Sequence, residues 1–504
     1  MEYAIAVIDI GMTNKKVAVY DDTLTPVDAR YRNFPPLLVD GLETHDLAAM
    51  EDWFTEQVAQ YARLYPIKGI ALSTHGATFV GVGKDGTPSM PCVYYTHEPG
   101  DTFHERFYAR FGSPEALQEE TGTPAFKALI NTGKGILFAQ ERYPEGFKQT
   151  VQLLLYPQYW GFRFSGKTGT EGTYMGCHSY LWDQRHGWFS SVAQGLGVTA
   201  LIPNRLRTSW DVLGTLSPAF ARKTGLKEEV ILTLGIHDSN ASLLPHFAKH
   251  GERGFVLNST GTWCVIMNPV EVYGFAPEEL GKVVFFNISA FGTPVKTAIF
   301  RGGQEFETWS RLLMDIHGRQ DLPPFAVSPY RSLLAEKTAF LMPELTPGSG
   351  QFPRSTPRVI EERREYPFTA IAQKNQIPQV FKHYEQGIAL LGISLVMQTL
   401  TALERTGLVP GTKIFTEGGF RKDEAYHALL AAALPNNPVF LTDIAEASAL
   451  GAAMTVKMGL TGKKLPDLSR DFEIAYQEVL KISIPELKAY REAWLGYAES
   501  PLRC

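Results

Sequence analysis

Cysteine is scarce in this chain: four among 504 residues, at positions 92, 177, 264 and 504, with no Cys-x-x-Cys pair and no histidine at zinc-ligand spacing. That excludes a disulfide framework and a structural metal knot, and the thiols read as reduced. Long apolar runs are also missing. The most apolar segment, Gly387 to Met397, falls short of the ~20 residues a bilayer requires and reads as a buried helix. No basic run occurs and the formal net charge is -5, which argues against nucleic acid or a membrane surface as partner. The N-terminus lacks the basic region and cleavage site of a secretory leader, so the expected location is the cytoplasm.

What is present suits a globular protein: 44% hydrophobic and 20% charged residues. The length amounts to several domains, and a cleft between two lobes is the default expectation. Ala4 to Tyr20 reads as strand, short polar loop, strand. Gly11 permits a tight path there, and peptide N–H groups, the Thr13 hydroxyl and Lys15 or Lys16 would converge on an anion. Asp9 would repel a bare phosphate, so its place beside this loop implies a hydrated Mg²⁺ between carboxylate and phosphate. The alternative is an ordinary hairpin turn. Gly254 to Met267 repeats the pattern, with Gly261 and Thr262 echoing Gly11 and Thr13. A duplicated fold with one phosphate loop per lobe follows.

Two motif matches are set aside. Gly161 to Thr168 fits the P-loop expression, but it carries two Phe and an Arg inside the loop and opens no helix. Gly81 to Gly86 fits the dinucleotide fingerprint, yet Lys-Asp-Gly is a hairpin signal and Thr-Pro-Ser-Met-Pro follows where a helix must start.

Gly69 to Val80 reads as a strand ending in a loop with His75 at its tip, and Tyr95, His97 and Glu98 follow. These side chains suit a polar, aromatic-lined sugar pocket. Val230 to Ser242 reads as a buried strand running straight into a helix at Asp238. Asp238 either caps that helix or faces the cleft, where it takes a proton from a hydroxyl and helps hold Mg²⁺. Gly418-Gly419, between a strand and a helix running through Leu434, either lets a nucleotide approach the backbone or makes a plain turn. Thr442 to Glu446 supplies N-cap signals for a helix from Ala445 to Met458.

Taken in order, Asp9-Ile-Gly-Met-Thr, His75-Gly-Ala-Thr, Gly235-Ile-His-Asp238, Ser259-Thr-Gly-Thr262, Glu417-Gly-Gly419 and Glu446-Ala-Ser-Ala-Leu-Gly-Ala-Ala453 resemble the FGGY family of carbohydrate kinases. The resemblance runs from Tyr3 to about Met458. It implies an α/β fold of two ribonuclease-H-like lobes, as in actin, hexokinase and Hsp70, with ATP and sugar in the cleft. It divides the chain into a sugar-binding lobe (1–247), an ATP-binding lobe (248–460) and a helical tail (461–504). By the same resemblance Asp238 is the catalytic base and, with Asp9, a Mg²⁺ carboxylate. Gly11, Thr13, Asn14 and Lys16 form the first phosphate loop, Gly261, Thr262 and Gly303 the second, and Gly418, Gly419 and Asp423 the adenosine site. Thr74, His75, Gly76, Tyr95 and His237 line the sugar site. Thr74 to Thr78 looks like the xylulokinase version, whereas His237-Asp238 is similar to the rhamnulokinase and fuculokinase branch, which phosphorylates 6-deoxy-ketohexoses. Asp423 stands where the family has Asn, and Tyr95-Thr96-His97 replaces its Trp-Asn-Asp.

The expected activity is therefore phosphorylation of a primary hydroxyl of a ketose by Mg·ATP, with a small sugar and ATP as partners. A non-catalytic sugar or nucleotide sensor of the same fold is the alternative, and a chaperone-like ATPase a third reading. A sensor would be expected to lose Asp9 or Asp238. The Pro-rich stretch from Leu322 to Pro347 reads as an extended linker near the cleft. Oligomeric state is open, with a homodimer allowed.

Overall fold

The computed structural model describes residues 1–444 and 446–499. Ala445, where a helix was expected to begin, and Cys504 lie outside them.

Two seven-stranded sheets organise the chain. In the first, Ala4–Ile10 pairs antiparallel with Asn14–Asp21 and parallel with Ile67–Thr74. In the second, Phe255–Thr260 pairs antiparallel with Cys264–Pro269 and parallel with Lys413–Gly418. The same local plan thus occurs twice, as the paired Gly-Thr hairpins imply. The central strand of each sheet is buried nearly throughout, as expected of a strand covered on both faces, although Phe255–Thr260 ends in the polar run Asn258-Ser-Thr.

Between the sheets runs a continuous apolar layer containing Ile5, Val7, Ala71 and Ile236 from the first and Phe255, Leu257 and Phe415 from the second. It encloses two crossing helices, Asp238–His250 and Ala447–Thr461. The first, entered from the first sheet, presses His246 and Phe247 against Phe415 and Phe255 of the second. The other packs back across the first sheet, where Val456 lies against Gly69. Each lobe therefore lends a helix to the other.

Several expectations are corrected. The 230–242 segment is not one strand running into a helix. Ile231–Thr233 and Ile236–His237 are separated at Gly235, whose φ of +83° and packing against Pro157, 2.8 Å from a built Cβ, require glycine. The 322–347 stretch is not an extended linker, since it contains the helix Val327–Glu336 and the strand Ala339–Met342. The segment after 460 is only partly helical: Tyr476–Glu478 adds a strand to the second sheet, and Glu486–Ala498 buries Leu487, Tyr490 and Trp494 in that lobe's core. The apolar segment at 387–397 lies in a 22-residue helix, Tyr384–Arg405, long and apolar enough to cross a membrane, but 89% of its apolar window is enclosed by protein.

Both set-aside motifs are structural. Gly161 to Ser165 closes the helix Tyr156–Ser165, which ends at Gly166 in the left-handed conformation. Gly83 N–H bonds Thr87 O at 2.9 Å across a tight turn.

Candidate active site

The cleft chemistry gathers at the carboxyl ends of adjacent strands in the first sheet. Ile10 and His237 both register with Thr74, so Asp9, His75 and Asp238 leave the sheet side by side. Across the antiparallel hairpin Asp9 faces Lys16, and directly opposed residues share a face. Lys16 Nζ lies 3.0 Å from Asp9 Oδ2 and is bonded to Glu446 as well. Burial disfavours its charge, but the two carboxylates outweigh that and raise its pKa. Ser448 Oγ donates to Asp9 Oδ2 at 2.8 Å, and Tyr31 donates to Glu446 Oε1 at 2.9 Å. Glu446 is thus committed to Lys16 and Tyr31, and makes no side-chain cap for the helix that starts at Ala447, contrary to the N-cap expectation.

Thr13 and Asn14 stand exposed at the tip of the first hairpin, which Gly11 N–H closes on Asn14 O at 3.0 Å. Lys15 points inward instead. Its Nζ donates to Met12 O at 2.7 Å, and burial without an acidic partner brings its pKa down to about 8.

Asp238 is the first residue of its helix, and the capping side chain is that of His237, whose Nδ1 accepts from Ser239 N–H at 3.2 Å. Asp238 Oδ1 also accepts from Ser239, from N–H at 2.6 Å and from the hydroxyl at 3.2 Å. A third of the side chain (33%) remains open to the cleft. Enclosure by the surrounding protein, then the charge of Asp9, raise its pKa to about 7.

Around Asp238 stands a wall of neutral rings. His75, His178 and His237 are each lowered to about 3, chiefly by burial. His75 Nδ1 bonds Gly76 O at 2.9 Å, leaving Nε2 buried without a partner. Tyr95 stacks obliquely on His75 with ring centroids 5.3 Å apart, and burial together with the Asp238 charge raises its phenol to about 12. Gly76 has to be glycine, because a Cβ there would lie 2.7 Å from His178 Nε2 and 2.8 Å from His237 Nε2. Thr74 turns its hydroxyl onto His75 O instead of the cleft.

His97 and Glu98 are not part of this wall. His97 packs on Phe138, and Glu98 braces its own loop through His104 Nε2 at 2.7 Å and Ala128 N–H at 2.7 Å. Glu171 is wholly buried. It accepts from Thr173 and Ser209 hydroxyls, and Thr173 Oγ1 in turn accepts His237 N–H at 3.0 Å, so Glu171 positions the strand end that carries Asp238.

In the second lobe Gly261 and Thr262 are exposed at their hairpin tip. A Cβ on Gly303 would lie 2.1 Å from Gly261 O, so only glycine brings the start of the helix Gly302–His317 against this loop. Gly418 has φ +86° and room for no Cβ, which would sit 2.0 Å from Thr260 O. Thr260 Oγ1 donates to Glu417 O and accepts from Phe420 N–H, locking the glycine pair to the second loop. Gly419, Phe420 and Asp423 line a cavity of about 470 Å³ with Pro323, Phe325 and Tyr330. Asp423 caps the helix Glu424–Ala433 through Tyr426 N–H at 3.0 Å.

Residues 4–245 match the N-terminal domain of the FGGY family of carbohydrate kinases, and residues 252–464 match the carbohydrate kinase FGGY C-terminal domain. The chain belongs to the FGGY family of carbohydrate kinases. These are phosphotransferases. Xylulose kinase from Bacillus subtilis (strain 168) is 30% identical over 299 residues, a match spanning 57% of each chain. A rhamnulokinase from Halalkalibacterium halodurans is 23% identical over 197 residues, 39% of this chain and 41% of that one. The match thus spans 57% of the length of the first of these curated relatives and 41% of the second. Over its whole length it resembles the crystal structure of a carbohydrate kinase from Novosphingobium aromaticivorans: TM-score 0.79, 25% identity, covering 98% of this chain and 100% of that one. The expected two-lobed, ribonuclease-H-like fold is the one observed.

In the sequence Glu446 reads only as a helix-cap signal and Cys177 only as a reduced thiol, while Tyr31, His45 and His178 carry no signal. His45 stacks on His75 at 5.6 Å and on Tyr94 at 4.3 Å, a second neutral ring behind the first. His75→Phe keeps the stack and deletes the free Nε2. Since a buried hydrogen bond contributes ~0.5 to 1.5 kcal/mol and more when a partner is stranded, sugar affinity is expected to fall about tenfold. ATP affinity without sugar is expected to stay the same, because Gly418 and Gly419, the adenosine site implied by the resemblance, belong to the other sheet. Equal loss for ATP in calorimetric titrations would reverse this orientation of the cleft.

Proposed function

We propose that this family member transfers the γ-phosphoryl of Mg·ATP to a primary hydroxyl of a ketose. The observation carrying this reading is Asp238: a carboxylate at a strand's carboxyl end, partly open to the cleft, opposed by Asp9 and walled by neutral histidines and Tyr95. Asp238 accepts the hydroxyl proton while the neutral rings offer hydrogen bonds to the remaining hydroxyls. Both Gly-Thr hairpins present backbone N–H groups and hydroxyls to the phosphates, and positioning with electrostatics supplies most of the rate.

The residues suit a divalent cation. The charge of Asp9 raises the cost of ionising Asp238, and among the described residues the partner nearest Asp238 in a possible ion pair is His237, neutral and 3.4 Å away. These two carboxylates would hold Mg²⁺, which neutralises phosphate charge when bound. Asp238 must be ionised to act, so at low Mg²⁺ the rate is expected to drop as pH falls through about 7. Raising Mg²⁺ is expected to move that limb to lower pH. A limb independent of Mg²⁺ in initial-rate profiles would separate the cation from this pair.

A 6-deoxy-ketohexose such as L-fuculose or L-rhamnulose is the favoured acceptor, with xylulose next. The His237-Asp238 dipeptide and three rhamnulokinases among the relatives favour the first, the His75 loop and the xylulose kinase relative the second. ADP release across L- and D-ketopentoses, ketohexoses and 6-deoxy-ketohexoses tests this, and no stimulation by any of them would favour a sensor. Thr13→Val or Thr262→Val is expected to raise the ATP requirement or lower turnover, whereas Lys167→Ala, in the set-aside P-loop match, leaves ATP affinity unchanged. A silent Thr13→Val with a large loss of ATP binding in Lys167→Ala would overturn the placement of the phosphates.

A further inference from the structure

Within the wall of rings around Asp238 three ligand-type atoms converge that phosphoryl transfer does not use together. Those of Cys177, His178 and His237 all lie within 4.8 Å of one another, and Cys177 Sγ stands 3.4 Å from His237 Nε2. That last distance matches an edge of a tetrahedron whose metal–sulfur and metal–nitrogen bonds are about 2.3 and 2.0 Å. His178 is already oriented for coordination: Nδ1 bonds Ile130 O at 3.1 Å, which leaves the Nε2 lone pair facing inward as an outer-sphere carbonyl does in metal sites. It is held there by an unusual backbone, φ +38°, and the missing Cβ of Gly76 leaves space beside both Nε2 atoms.

We propose that Cys177, His178 and His237 form a binding site for a thiophilic divalent cation of the zinc class, and that filling it switches off the neighbouring Asp238. A thiolate with two imidazoles selects zinc over magnesium, which prefers oxygen ligands. The Cys177 thiol proton leaves to solvent as the metal–sulfur bond forms, so binding strengthens as pH rises. His237 now accepts from Ser239 N–H at Nδ1, so its proton sits on Nε2. Coordination through Nε2 moves that proton to Nδ1, which faces Asp238 Oδ1 at 3.4 Å. The base is then engaged in a carboxylate–histidine–metal arrangement and no longer free for a sugar hydroxyl. This inhibitory consequence rests on the role proposed for Asp238, whereas binding itself does not.

The test uses the full chain with Co²⁺ as a spectroscopic probe and Zn²⁺ as the inhibitor, both with Mg²⁺ in excess. Wild type is expected to show a thiolate-to-cobalt charge-transfer band, Cys177→Ser to lose it, and His178→Gln to shift it and weaken Co²⁺ at least about tenfold. No band in the wild type overturns the site, and a band persisting in Cys177→Ser assigns it to another cysteine and overturns it too. Micromolar Zn²⁺ is expected to suppress sugar-dependent ADP release, with recovery on adding a zinc-selective chelator that spares Mg²⁺. Zn²⁺ bound in equilibrium dialysis with turnover unchanged would overturn the coupling to Asp238. A protein that gives the cobalt band yet phosphorylates no sugar would retain the site and refute the kinase reading.

Discussion

Asp238→Asn is expected to lower turnover by ~10²- to 10⁴-fold under saturating Mg·ATP and sugar, the range lost with a general base. The amide keeps the size of the carboxylate and can still accept from Ser239, whose N–H and hydroxyl both bond Oδ1, but it takes no proton. Sugar binding, which we assign to the rings of His75, His237 and Tyr95, is expected to survive, and isothermal titration separates the two effects. The same variant has a signature in stability. Asp238 is raised from its ordinary 3.8 to about 7 in the fold, so between those values the native state binds more protons than the unfolded chain. Stability then declines as pH rises through that window. Asparagine has no charge to bury, so the variant should melt above wild type at pH 8, with the difference closing as pH falls towards 4. Near-normal turnover would reduce Asp238 to a residue of the helix start. A melting difference of the opposite sign would mean that its surroundings stabilise the carboxylate.

The parts of this molecule that were legible in the sequence are those whose chemistry is local. The two Gly-Thr hairpins were legible as short polar turns between apolar strand residues, and their repetition exposed the doubled plan. Gly235 was not legible as a break: its apolar neighbours read as uninterrupted strand, and the side chain that would crowd a Cβ there belongs to Pro157, distant in sequence. Glu98 looked like a sugar ligand because a carboxylate beside His97 suits hydroxyls. Only the fold shows its oxygens bonded to His104 and Ala128 N–H. The capping signal at 442–446 failed for the opposite reason: Glu446 has the right chemistry, but tertiary partners 415 and 430 residues away, Tyr31 and Lys16, hold it. Cys177, His178 and His237 carried no zinc-like spacing, since sheet register and a buried loop bring them together, not a short motif.

The helix crossing between the lobes gives the second large expected effect, on stability. Gly451→Ala would place a Cβ 1.9 Å from Ala241 O and 2.6 Å from its carbonyl carbon, and both atoms are backbone inside a buried helix. In an exposed helix the same change would gain up to ~1 kcal/mol of propensity. Here the clash forces the helices apart, and overpacking of this kind typically costs ~1 to 3 kcal/mol. Gly459→Ala, two turns on in the same helix, is the control: Trp210 O at 3.1 Å and the Thr233 and Val212 methyls at 3.3 Å would have to give by only a few tenths of an ångström. The melting midpoint is expected to fall clearly in Gly451→Ala and little in Gly459→Ala. Turnover should fall as well, because Ser448, one turn before Gly451, holds Asp9 Oδ2 at 2.8 Å, so a displaced helix also displaces the carboxylate that faces Asp238. Equal melting of the two variants would show that the crossing yields without strain and that the lobes are not registered by this glycine.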